Sequence, residues 1–416
     1  MDLTIGFGSA PQNVTIPDAN VMGVLTPNSV EITSSGQPEV IRALNEPIGT
    51  KKLSELAVGK KKVAIVSSDI TRPMPTWVAL PPVLAELDKA GVRREDVTVV
   101  LALGSHRTHT DAEKKKLLGE CYGAVRCVDS SDEGYIHMGV TPKGTPVDIA
   151  KAVAEADFRI CMGNIEYHYV AGYSGGAKAI MPGVSTREAI QANHRHMVED
   201  GAVAGRLEGN PLREDIEASL KCCPVDFILN VVLDEHKQIV RAVAGDVTLA
   251  HREGCRFLDK FYRKEIPQLA DIVVVSQGGA PKDLNLYQTQ KALDNAKHAV
   301  KDGGVIILIG SCREGLGEKT FEEWMTSAPT AHSLIERIQR EFRLGGHKAA
   351  AIAMVLERAE VDLVSELDDE FVRSLFLVPQ PSAQAALDRA FEKLGPDARV
   401  LSMPYGGSTL PKVIAR

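Results

Sequence analysis

Six short runs of nearly unbroken apolar residues punctuate the chain: Lys62–Ser67, Val97–Leu103, Phe158–Gly163, Phe227–Leu233, Asp271–Ser276 and Val305–Ile309. Apolar residues at consecutive positions, without the period-two alternation of a half-exposed sheet, predict strands buried on both faces. Helical patterns lie between them. One runs from about Trp77 to Ala90, and Gly91 closes it. Two more open on the Ser/Thr-x-x-Glu spacing of a capping box, Thr110 to Glu113 and Ser185 to Glu188, so the second helix should start near Thr186. Pro73 and Pro75 forbid a helix just after the first strand and stiffen that loop. The turn Gln277–Asp283 leads into another helix with Asp283 as its expected N-cap, and that helix puts Leu284, Tyr287, Lys291 and Asp294 on one face. Helical patterns fill most of 320–395.

Strand, loop, capped helix, strand is the rhythm of an α/β fold. At 416 residues the chain is too long for one ordinary core. The expected fold is two α/β domains with largely parallel sheets and an active-site cleft between them. The first would span 1–266 and the second 267–403. The tail 404–416 has turn chemistry and a strand-like end, which leaves a return to the first domain open.

Composition narrows the function. A net charge of −7 with no long basic run excludes a general nucleic-acid binder, and 5% aromatic residues are too few for a base-stacking platform. The start MDLTIGFGSA lacks the features of a signal peptide, and no 18-residue apolar run predicts a membrane span. Seven scattered cysteines without CxxC spacing fit a reducing, cytoplasmic setting and give no zinc framework.

In open α/β sheets, ligands bind beyond the carboxyl ends of the strands. Asp69, Arg72, His106 and His168 all follow such ends. The densest stretch is Glu166–His196, where Ser174, Gly175 and Gly176 form a turn just before Lys178. A lysine there can serve as a point charge or as a nucleophilic amine. The spacing is not that of a P-loop, since Ala179 follows the lysine, and no GxGxxG follows an early strand. Two histidines can take and return protons on two sides of a carboxylate-bearing substrate, and Arg72 offers it a bidentate fork. His194 and His196 lie about 200° apart around their helix, so only one can face a given site. Each residue also has a plain structural reading. His106 and His168 could be satisfied loop histidines, Arg72 a salt-bridge partner of Asp69, His194 a core or surface residue, and Tyr287 with Lys291 a solvated helix face.

Taken together, Asp69-Ile-Thr-Arg72-Pro73, Gly104-Ser-His106-Arg107, Glu166-Tyr-His168, Ser174-Gly-Gly-Ala-Lys178, Asn193-His194 and Tyr287-Gln288 with Lys291 occur in order over most of the chain. In these the sequence resembles the nickel-dependent lactate racemase family of 2-hydroxyacid racemases and epimerases. The resemblance implies a nickel-pincer nucleotide, a pyridinium-3-thioamide-5-thiocarboxylic acid mononucleotide holding Ni. It implies that Lys178 joins this cofactor, that His194 is the protein ligand of the metal, and that His106 and His168 are the paired acid/bases. It places Arg72 with Asp69, and Tyr287, Gln288 and Lys291 from the second domain, on the substrate. The first domain would then carry cofactor and catalysis and the second would close the cleft. The backbones of Thr71, Ser174, Gly175 and Gly176 are candidates for the cofactor phosphate. Partners would be a small 2-hydroxy acid and the enzymes that build the cofactor. Lactate, malate, a longer or aromatic 2-hydroxy acid and a sugar acid all stay open as substrates, as does a pocket role for Trp324 and the oligomeric state. Two rival readings also stay open: a phosphate- or nucleotide-dependent transferase using Lys178, and a non-catalytic two-domain protein that closes on a carboxylate through Arg72.

Overall fold

The computed structural model describes residues 1–234, 236–343 and 345–414. They form two compact units: a mid-chain unit, Val30–Lys260, and a terminal unit made of Met1–Ser29 and Phe261–Arg416. Both are α/β.

The mid-chain unit is built on a six-stranded sheet. Its spatial order is Ile239–Gly245, Phe227–Leu233, Phe158–Asn164, Val63–Ser68, Val97–Ala102 and Arg126–Asp129. All neighbours run parallel except Ile239–Gly245, which is antiparallel to Phe227–Leu233. The parallel strands are apolar because helices cover them. Val63, Ile65, Val99, Leu101, Ile160 and Leu229 share one core with Leu80, Val83 and Leu87 of the helix Thr76–Lys89. Thr110 closes the predicted capping box with Glu113. The second box does not form. Thr186 caps the helix Arg187–His194 by accepting from Ala189, one residue later than the box would require, so Glu188 has no capping role.

The terminal unit holds a six-stranded, wholly parallel sheet: Val378–Gln380, Glu360–Val364, Val300–Ile309, Ala270–Ser276, Val400–Met403 and Val21–Val24. The expected strand Val305–Ile309 begins five residues earlier, at Val300; the Lys-Asp-Gly-Gly stretch 301–304, with Asp302 and Gly303 exposed, hides that start in the sequence. The first 29 residues, expected in the N-terminal domain, belong here, since Val21–Val24 pairs with Val400–Met403. The tail also stays in this unit, with Leu410–Val413 beside Arg263–Ile266. Pairings between chain ends leave no periodic mark, which is why the expected boundaries differ. No helix among the described residues is long and apolar enough to cross a membrane.

Asp283 is not an N-cap. Asn285 caps the helix Leu286–Ala296, accepting from Gln288. Asp283 is fully buried and its Oδ2 accepts from the amides of Gly8 (2.7 Å) and Ser311 (3.0 Å), tying the N-terminal segment to the sheet. Asp283→Ala should therefore cost about 1–3 kcal/mol for each orphaned amide, against about 1 kcal/mol for loss of the Asn285 cap. Urea denaturation of both variants checks this; a smaller effect for Asp283→Ala than for Asn285→Ala would contradict it.

Candidate active site

The chain moves from Val63–Ser68 to Val97–Ala102 and Arg126–Asp129 on one side, then returns to place Phe158–Asn164 on the other side of Val63–Ser68. That reversal is a topological switch point, where loops diverge from the strand ends and leave a crevice. Asp69 and Arg72 follow the central strand, His106 follows the strand on one side, and Glu166 and His168 follow the strand on the other.

Asp69 is 3% exposed, and its Oδ2 lies 2.8 Å from His106 Nδ1. Burial alone would raise the Asp69 carboxyl; the hydrogen bond and charge of His106, helped by Thr71 and the Arg72 guanidinium, outweigh it and hold the carboxyl below its ordinary range. It stays ionised, so the His106 proton sits on Nδ1 and Nε2 is the lone-pair nitrogen of the neutral ring. His168 carries the opposite tautomer. Its Nδ1 accepts the Ala171 amide at 3.1 Å, so in the neutral ring Nε2 bears the proton. His168 sits at the end of a two-residue ladder with Gly172 and stacks on Tyr169.

The next loop is fastened from beneath. Ser174 exchanges backbone contact with Glu166, and its hydroxyl donates to Asn164 O at 2.8 Å. Gly175 and Gly176 have φ of 76° and 58°. A Cβ at Gly175 would lie 2.8 Å from Asn230 Oδ1, and one at Gly176 would lie 2.8 Å from the His251 ring, so side chains are excluded twice over. Under this turn lies a buried network that the sequence reading missed. Arg213 Nη1 donates to Tyr173 O (3.3 Å) and Nη2 to His251 Nδ1 (3.1 Å), while His251 Nε2 donates to Ser174 O at 2.8 Å. Glu217 accepts from both Arg213 and Arg252, one carboxylate shared by two cations.

Lys178 sits on the one-turn helix Gly176–Ala179. The residue keeps some exposed surface, yet protein crowds its amine. Desolvation, then repulsion from Arg72 and Arg213, lowers its pKa to about 7, with Glu166 acting weakly the other way. His194 is buried on the neighbouring helix. Its Nδ1 donates to Ile190 O at 3.0 Å, which fixes Nε2 as the lone-pair nitrogen. Burial, then the charge of Lys178, lowers its pKa to about 3, so it stays neutral. His196 instead turns to Glu199. Asn193, beside His194, donates to buried Asp215, which also accepts from Thr145.

The expected phosphate donors fare differently. The amides of Thr71, Ser174 and Gly176 donate within the protein, to Asp69 Oδ1, Glu166 O and Asn230 Oδ1. Those three amides are therefore spent, and what the Gly-Gly turn offers a ligand is close backbone approach. Among the described residues, no group of three or more His, Cys, Asp or Glu could hold a metal ion. Tyr287, Gln288 and Lys291 lie in the terminal unit, on the first turns of Leu286–Ala296. Lys348 donates to Tyr287 O, and its ammonium lies 4.0 Å from the Tyr287 ring centre. Trp324 is fully buried beneath the Arg337 guanidinium, so it is a core residue of that unit.

Comparison with known proteins gives the family. Residues 7–205 match "Lactate racemase N-terminal domain" and residues 266–410 match "Lactate racemase C-terminal domain". The lactate racemase of Thermoanaerobacterium thermosaccharolyticum is 33% identical over 98% of this chain and 99% of its own. That of Lactiplantibacillus plantarum is 31% identical over 95% and 96%. The solved lactate racemase apoprotein from T. thermosaccharolyticum superposes with a TM-score of 0.91, covering 99% of this chain and all of that one. The protein is thus an enzyme of the isomerase class, a racemase. The chain belongs to the lactate racemase family.

The low pKa of Lys178 makes a measurable difference. In a pH series of amine acylation read by peptide mass spectrometry, Lys178 should titrate near 7, far below the ordinary 10.5 of surface lysines. Because the unfolded chain keeps this proton to higher pH than the folded one, the contribution of Lys178 to stability should rise with pH between those two values. Lys178→Met should remove that slope. A labelling midpoint near 10 would contradict the assignment.

Proposed function

We propose that this racemase interconverts the enantiomers of a small 2-hydroxycarboxylate, lactate first, with a nickel-pincer nucleotide joined to Lys178. The observation that carries this reading is the pairing of Lys178 with His194. An amine that is neutral near pH 7 can form a covalent bond, and beside it a buried, neutral imidazole has its Nδ1 pinned and its Nε2 lone pair set for a metal. One histidine suffices if the nucleotide brings the other ligands. When bound, such a nucleotide would supply a reversible acceptor for the C2 hydride, chemistry that no side chain here can perform.

The chain's own residues do the rest. Arg72 binds the substrate carboxylate through its planar fork. His106, oriented by Asp69, takes the hydroxyl proton on Nε2 as the C2 hydride leaves, and the substrate becomes a 2-keto acid. A doubly protonated His168 gives its Nε2 proton to the carbonyl oxygen as hydride returns to the other face and is left neutral, while His106 is left doubly protonated. In the reverse direction the two histidines exchange roles. His106 leaves Nε2 its lone pair, as the base in this direction needs, and His168 carries a proton on Nε2, the position from which the acid donates. Tyr287, Gln288 and Lys291 keep their substrate-facing role as part of this proposal.

Protein co-produced with cofactor-building enzymes and nickel should carry a nucleotide-sized adduct in its intact mass, absent in Lys178→Ala. An unmodified wild type that still racemises lactate would overturn the covalent role. His106→Ala and His168→Ala should each lower the racemisation rate by about 10²–10⁴-fold, as loss of a general acid or base does. Near wild-type rates in both would remove the two-histidine assignment. Arg72→Lys should raise KM more than it lowers kcat; an unchanged KM would count against the carboxylate contact.

A further inference from the structure

The loops on the His106 side hold each other. The first reaches across through the Asp69 carboxylate, 2.8 Å from His106 Nδ1. The second returns the contact through His109, whose Nε2 accepts the Ile70 amide at 3.0 Å. An amide can only donate, so the His109 ring proton is on Nδ1, where Asp129 Oδ1 accepts it at 2.5 Å. Asp129 is held in turn: Oδ2 accepts the His109 amide at 3.0 Å and faces the Lys114 ammonium at 3.2 Å, and its own amide donates to Asp132. The His109 and Asp129 side chains are each 1% exposed, so neither can meet a substrate. Thr71 Oγ1 also lies 3.2 Å from His106 Nδ1. The remaining hydrogen bonds of Asp69–Arg72 are local: Thr71 N to Asp69 Oδ1 and Arg72 N to Asp69 O. Such local bonds shape a turn but let it swing as a body.

We propose that His109 is a positioning residue for racemisation. Through the Ile70 amide it fixes the peptide between Asp69 and Thr71, and so sets both the carboxylate that orients His106 and the backbone that leads to Arg72. This rests on the reading that His106 and Arg72 act on the substrate. The loop that supplies the reacting histidine also supplies, three residues later, the anchor for its partner loop.

Two conservative variants separate this role from mere packing. A glutamine at this position can place its side-chain oxygen where Nε2 lies and accept from Ile70, but loses the donor to Asp129. An asparagine can place its amide nitrogen where Nδ1 lies and serve Asp129, but loses the acceptor for Ile70. In the cofactor-loaded enzyme, His109→Gln should stay within several-fold of wild-type kcat/KM for lactate and keep the Ile70 amide protected from hydrogen exchange. His109→Asn should lose about 10²-fold, the scale of a small misplacement of reacting groups, and expose that amide. Asparagine equal to or better than glutamine in both readouts would overturn the proposal. If the wild-type enzyme racemises no 2-hydroxy acid, the functional reading fails, while the Ile70 exchange pattern of the two variants still decides whether His109 anchors the loop.

Discussion

Cationic charge crowded into a poorly solvated corner governs this site. Arg213 is buried beneath the Gly175-Gly176 turn, Arg72 stands at the mouth, and Lys178 lies where both repel it. Glu217 compensates Arg213, shared with Arg252. Little compensation remains for Lys178, so the cheapest state is a neutral amine. In the proposed function the Arg72 guanidinium takes the substrate carboxylate and Lys178 takes the cofactor, so substrate handle and attachment point share one electrostatic setting.

Holding that imbalance requires a stiff scaffold. The parallel sheet provides it, since strands buried on both faces cannot shift register without exposing apolar surface. Loops are then fastened individually. His251 and Arg213 grip the carbonyls under the Gly-Gly turn, and His109 grips the Ile70 amide. Both histidines are buried with fixed tautomers, one as donor to a carbonyl and one as acceptor from an amide. They act on the loops through backbone, whereas the proposed function gives His106 and His168 the proton transfers.

Much of this was legible in the sequence because it is local. Apolar runs marked the strands to within a residue or so, except that Val305–Ile309 begins at Val300, and the polar residues just past their ends marked the loops that carry Asp69, His106 and His168. What escaped the sequence is long-range. Arg213 and His251 lie 38 residues apart, and they are 40 and 77 residues from Tyr173 and Ser174 of the turn they support. Nothing in their own segments sets them apart from ordinary helix residues. Asp283 had the residue type and position of an N-cap, yet its partners, Gly8 and Ser311, are distant in sequence. The first strand of the terminal unit's sheet edge, Val21–Val24, is short and only half-buried, so its place beside Val400–Met403 left no pattern to read. The amides of Thr71, Ser174 and Gly176, expected as phosphate donors, donate to Asp69, Glu166 and Asn230, and the Asn230 partner lies 54 residues away, where no local pattern announces it.

The most direct test of the chemistry is the fate of the C2 hydrogen. The cofactor-loaded enzyme would be given unlabelled L-lactate in D₂O, and the D-lactate formed early would be read by NMR or mass spectrometry. Hydride removal and return should give product that keeps protium at C2. Deuterium at C2 in that first-formed product would mean that the hydrogen leaves as a solvent-exchangeable proton, and would contradict the hydride mechanism proposed for this site.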